Sequence, residues 1–149
     1  GRRPLLLDLR GPDAPGRLVL RLRVLRHDQR VQLGRAVVTA EDVRRVAGSL
    51  PRSEERLVRD HVKFRVGRLV FISISPDETS MGFAFPKEER AALVASEPHK
   101  FHMPVRSDER YHWVQVWLAA IDEAEMRELV VDAWRMVVPK RVAASWSPP

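Results

Sequence analysis

Arg59, Lys63, Arg65 and Arg68 lie close together in the chain, on and just before a stretch that reads as a β-hairpin. Contact with phosphate needs long cationic side chains on a fixed, exposed scaffold, and a projecting hairpin supplies one. Arg106 and Arg110 can extend the set from a later loop. These six residues are the candidate nucleic-acid contacts. The competing reading is an ordinary solvated strand face, whose Lys and Arg guard the edge against unwanted pairing.

Other residue types offer weaker chemistry. His99, His102 and His112 are the one metal-like cluster, and imidazole ligates zinc or iron. No carboxylate at suitable spacing joins them, so no metal or cofactor is expected. Asp122, Glu123 and Glu125 resemble paired catalytic carboxylates, yet their spacing is also that of a helix N-terminus that caps and compensates its own dipole. Trp113, Trp117 and Trp134 can stack nucleic-acid bases, but Trp113 and Trp134 sit in strand and helix periods that favour core packing. Trp117 is the one whose exposure decides its use. There is no Gly-rich phosphate loop, no G-x-S-x-G elbow and no H-E-x-x-H pair. Nothing argues for an enzyme.

The charge pattern limits the nucleic-acid argument. The formal net charge is +6 over 149 residues, from 26 Lys and Arg against 20 Asp and Glu. Residues 1–36 hold nine Arg and three Asp, which leaves 17 of each sign in residues 37–149. The basic character therefore belongs to the leader, and the remaining domain is neutral. The leader is Arg- and Leu-rich and broken by Gly11-Pro12 and Pro15-Gly16. It reads as a flexible tail, a segment upstream of the true start, or an extra strand from Arg17 to Arg26 with Leu18, Leu20, Leu22 and Val24 on one side.

The 44% hydrophobic and 31% charged residues are ordinary for one globular domain of this length. No apolar run approaches the roughly 18 residues of a membrane span, so no membrane partner is expected. The chain has no cysteine, which removes disulfides and thiolate chemistry and fits a cytoplasmic setting. A monomer is the favoured state.

The elements that must position the candidates are legible from periodicity. Thr39 can cap a helix from Ala40, with Asp42 at the third position and Val43, Val46, Ala47 and Leu50 as its apolar stripe. Pro51 ends it, and Pro51 to Asp60 reads as a polar connection. Val62 to Ser75 is the hairpin, with a Gly67-Arg68 turn of type II′. A two-residue turn pairs Val66 with Leu69, Phe64 with Phe71 and Val62 with Ser73, which places Phe64, Phe71, Val66 and Leu69 in one apolar cluster. Lys63 and Arg65 then share the opposite face with Val70 and Ile72. Thr79 to Phe85 is a third strand, and Pro86 opens a short helix. A short strand near Phe101–Val105 and a strong one from His112 to Ala119 follow. Asp122 caps the last helix, with Glu125 completing a capping box, and Pro139 interrupts it before a final turn or two. This order predicts an α+β fold, an antiparallel sheet of about four to five strands with helices packed on one face.

From about Thr39 to Trp146 the chain resembles the MmcQ/YjbR-like proteins. The resemblance rests on Ser49-Leu50-Pro51, on Phe64-x-Val66-Gly67 with Phe71, on the helix after Pro86, and on His102-Met103. It rests further on His112-Trp113 before a strand, and on the Asp122-capped helix with Ala133-Trp134 and Pro139-Lys140-Arg141. It implies an α/β fold similar to frataxin-like (CyaY-like) proteins and a DNA-binding role with a double-wing arrangement. Where the family's hairpin usually carries a lysine after the turn, this chain has Leu69, preceded by Arg68. Residues 1–36 stay unmatched and 37–149 form the single domain. The expected function is a non-catalytic binding module with DNA as partner. The alternatives are a protein-partner or small-ligand module using the sheet surface, and an uncharacterised enzyme.

Overall fold

The computed structural model describes residues 37–149; the segment 1–36, with its candidate strand Arg17 to Arg26, lies outside the described residues. Thr39 starts the first helix as the sequence requires. Its hydroxyl accepts from the Asp42 amide at 3.2 Å, and Asp42 Oδ2 accepts from the Thr39 amide at 3.0 Å. This reciprocal box satisfies amides that no helical carbonyl can reach. Helix α1 (Ala40–Ser49) buries Ala40, Val43, Val46 and Ala47, and the extended Leu50 closes it before Pro51.

Six strands follow: β1 (Glu54–Val58), β2 (His61–Val66), β3 (Leu69–Ile74), β4 (Ser80–Ala84), β5 (Phe101–His102) and β6 (Trp113–Trp117). Helix α2 (Arg90–Ser96) lies between β4 and β5, and α3 (Glu123–Val137) and α4 (Lys140–Ser145) complete the chain. The strands form one antiparallel sheet in the order β1-β2-β3-β4-β6-β5. The chain thus leaves β4 through α2, reaches the outer edge as β5, and returns as β6 into the gap.

Direct cross-strand partners share a face, so the register sorts the side chains into rows. One face carries the row Phe64, Ile72, Phe83 and Val114, beside Val62, Ile74, Met81, Val116 and Phe101. All except the half-buried Val62 are buried, and α3 lies across β2, β3 and β4 on this face while packing against α1. Each fully buried aliphatic or aromatic side chain contributes about 1.5–3 kcal/mol, so this layer dominates the stability. The fully buried Trp134 donates from Nε1 to the Pro51 carbonyl at 2.9 Å. That bond ties α3 to the end of α1, two parts of the chain that are far apart in sequence.

Four details depart from the sequence reading. Residues 54–58, expected within a polar connection, form the edge strand β1, which raises the count to six. All five of its residues are exposed, with Leu57 at 72%, so burial leaves no alternation to read. Its turn into β2 uses Arg59 and Asp60 at φ 49° and 69°, a type I′ pattern that Asn-Gly or Asp-Gly would normally announce.

The hairpin register also differs. Val66 pairs with Leu69, but Phe64 pairs with Ile72 and Val62 with Ile74, because a bulge interrupts the ladder between Phe64 and Arg65. Phe71 is the extra residue, and it is buried together with Ile72. Leu69 is 57% exposed and does not join the cluster. At the turn, Gly67 has φ 59° and Arg68 no positive φ, the expected type II′ pattern.

Pro86 does not open a helix. Residues 86–89 make a turn closed by the Glu89 amide on the Pro86 carbonyl at 3.0 Å, and the helix begins at Arg90. The Lys87 amide donates to His112 Nδ1 at 2.9 Å, which ties this turn to the chain entering β6. The strand near Phe101 covers only two residues, since the chain then turns through a 3₁₀ segment at Arg106–Asp108.

Candidate functional site

The face of the sheet opposite the Phe64–Val114 row holds the candidate site. Register places Arg56, Lys63, Ser73, Gly82, Gln115 and His102 in one row, with one residue from each of the six strands. Glu54 and Arg65 flank the row at one end; Ser80 with Trp117, and Ala84 with Trp113, flank it at the other. At about 4.8 Å per strand the row spans roughly 24 Å.

Its first end is cationic. Arg56, Lys63 and Arg65 stand on neighbouring strands and face the same way. Glu54 lies 3.5 Å from both Arg56 Nη2 and Arg65 Nε, so two of the three cations share one carboxylate. Glu55 points to the other face, where it pairs with Arg44 of α1 at 2.7 Å. Of the six residues picked from the sequence, only Lys63 and Arg65 come together. Arg59 and Arg68 occupy the turns at opposite ends of β2, a strand that spans about 20 Å. Arg106 and Arg110 lie beyond β5, toward the other edge of the sheet. Arg110 sits over the Tyr111 ring at 4.8 Å and donates to its hydroxyl at 2.8 Å. Arg56, which lay in the misread connection, is the cation that sequence reasoning missed.

The other end is aromatic. Trp117 is 44% exposed, and the His102 ring stacks on it at 4.3 Å between centroids and 24° between planes. His102 Nδ1 is buried without a hydrogen-bond partner, and burial pushes the ring's pKa below the usual histidine value. Gln115, directly opposite His102, accepts from Ser80 Oγ at 3.4 Å. Trp113 is half-buried and lies over Gly82.

The three histidines do not converge. His99 is exposed, His102 belongs to the stack, and His112 accepts from the Lys87 amide. That bond occupies the Nδ1 lone pair, so the 3.9 Å approach of Glu88 to the same nitrogen is not an ion pair. Among the described residues no three His, Asp or Glu side chains gather as a metal site, and no helix is long and apolar enough to cross a membrane.

The acidic trio separates as well. Asp122 caps α3 by accepting from the Glu125 amide at 2.8 Å, and Glu123 pairs with Arg127 at 2.8 Å. Glu125, read from sequence as the capping-box partner, is directed into the interior. There it meets Lys100 Nζ at 3.0 Å, and Lys100 also reaches Glu97 at 2.8 Å. A second buried cation, Arg90, donates to the carbonyls of Tyr111 at 2.9 Å, Trp113 at 3.1 Å and Glu109. It pins the chain entering β6. Lys100 and Arg90 sit in segments without periodicity that marks an inward-facing charge, so nothing local announces them.

Among known proteins, the YjbR family model matches residues 48–136. No curated protein matches the chain. Among solved structures the chain is similar to a crystal structure of a Deinococcus radiodurans protein with a DUF419 domain. The identity is 22% and the TM-score 0.59, over 69% of this chain and 80% of that one. At that identity the likeness concerns the fold. The family match takes in the end of α1, all six strands and nearly all of α3, and so includes every residue of the row described above. The chain belongs to the YjbR family.

Proposed function

We propose that this domain is a non-catalytic binding module that takes nucleic acid, DNA by the family resemblance, on the sheet face opposite α3. The observation that carries this reading is the group Arg56, Lys63 and Arg65, three cations on one face against the single carboxylate of Glu54. Phosphate contacts from such a group position a nucleic-acid strand without reading its sequence. The same reading takes the module as a cytoplasmic monomer, in keeping with a sequence that lacks cysteine.

The test measures anisotropy of labelled DNA against the full chain over a salt series. The Arg-rich leader is present in wild type and variants alike, so only the difference between them reports on the sheet face. Replacing Arg56, Lys63 and Arg65 by Ala should weaken binding, and each lost phosphate contact should flatten the log–log salt slope by about 0.7–0.9. Binding that is absent at low salt, or indifferent to the three changes, defeats the reading. A second reading, a protein or small-ligand module on the same face, draws support from the exposure of Trp117. It predicts binding that salt barely affects.

A further inference from the structure

The cations are at one end of the row and an exposed aromatic stack is at the other. Burying Trp117 would be the ordinary use of a strand tryptophan, yet it is 44% exposed and backed by the His102 ring at 4.3 Å. A ring supported on one side and open to solvent is a fixed planar surface, and ordering it costs little on binding. Between the two ends stand Ser73, Gly82 beneath the half-buried Trp113 indole, and Gln115, uncharged groups without a carboxylate to repel phosphate. From β2 to β6 is three strand spacings, about 14 Å, a distance that a few nucleotides cover.

We propose that Trp117, backed by His102, seats an unpaired base of a single strand whose phosphates lie against Lys63, Arg65 and Arg56. This rests on the nucleic-acid reading above and narrows it from DNA in general to unpaired nucleic acid. The reason is geometric. A duplex keeps its base faces stacked on one another, so it can offer the cations its backbone but can offer Trp117 no base face. Every base has a π-face, so the seat tolerates any sequence. Gln115 lies two residues before Trp117 on the same face, directly opposite His102 in the ladder.

The experiment uses the full chain and three probes of equal length: an oligothymidylate, an abasic strand with the same phosphates, and a duplex. Wild type should bind the oligothymidylate roughly tenfold tighter than the abasic strand, the usual effect of one stacked base. Trp117→Ala should remove that preference and leave the abasic strand bound as before, while Trp117→Phe should retain most of it. Lys63→Ala with Arg65→Ala should weaken both single-stranded probes alike. Equal binding of oligothymidylate and abasic strand, or of oligothymidylate to wild type and Trp117→Ala, overturns the base seat and leaves the phosphate reading intact. If none of the three probes binds at low salt, both fall together. Trp117 is at the exposed end of β6, and circular dichroism of the Ala and Phe variants separates a lost seat from a lost fold.

Discussion

The Trp113 indole lies over Gly82 so closely that a Cβ on residue 82 would stand 2.6 Å from Trp113 Nε1. Trp113 pairs directly with Ala84 and reaches Gly82 along the diagonal of the β4–β6 ladder. The glycine is therefore there for space and not for its backbone freedom. Gly82→Ala should destabilise the domain by roughly 1–3 kcal/mol, the usual cost of overpacking. In a Trp113→Ala background the same change should cost much less, and denaturant midpoints of the double-mutant cycle measure the coupling. Equal costs in the two backgrounds would show that the indole does not lie there.

Lys100 is 1% exposed and sits between Glu97 and Glu125, which are buried as well. Removing one partner of such a set costs far more than the set contributes, because the remaining charges have already lost their water. Lys100→Met should destabilise by about 3–5 kcal/mol. Adding Glu125→Leu should restore part of that loss by removing a carboxylate that the lysine had offset. Thermal unfolding of the two variants distinguishes these outcomes.

Arg90 holds one stretch of backbone with a single planar fork, on the alternate carbonyls of Glu109, Tyr111 and Trp113. A lysine keeps the charge but cannot reach all three carbonyls. Arg90→Lys should raise amide hydrogen exchange across residues 109–113 and lower stability by about 1–3 kcal/mol, with α3 protected as before. Exchange that rises everywhere equally would mean that Arg90 supports the fold in general and not this segment.

His102 supplies a pH dependence whose sign is fixed. Burial lowers its pKa in the fold below the ordinary value of 6.5, so the folded ring stays neutral where the unfolded ring begins to take a proton. Stability from this group is complete above the unfolded pKa and is lost as pH falls through it. His102→Gln should flatten the melting-temperature profile between about pH 5 and 7. A wild-type profile that rises toward acid in that window would contradict the assignment.

Much of the fold was legible along the chain. The α1 stripe, its Thr39–Asp42 box and its stop at Pro51 are all local events, as is the cap at Asp122. The alternation of Val114 and Val116 against Trp113, Gln115 and Trp117 likewise gave the two faces of β6. The site was less legible. Lys63 and Arg65 share a face because alternation says so, but Arg59 and Arg68 are near them only in sequence. His102 is a candidate metal ligand by residue type alone, and in the fold it is the backing of Trp117, a partner from another strand.

By itself the sequence determined which segments would wind or extend, where most of them stop, and that the net charge belongs to residues 1–36. Those properties follow from spacing, caps and composition, all of which act over a few residues. Tertiary structure alone decided that residues 54–58 join the sheet, that a bulge at Phe71 shifts the hairpin register, and that Glu125 turns inward to Lys100. It also decided that one row would run from Arg56 to His102. The physical reason is common to all four: a ladder partner or a buried counter-charge lies far away in the chain, and local pattern carries no record of it.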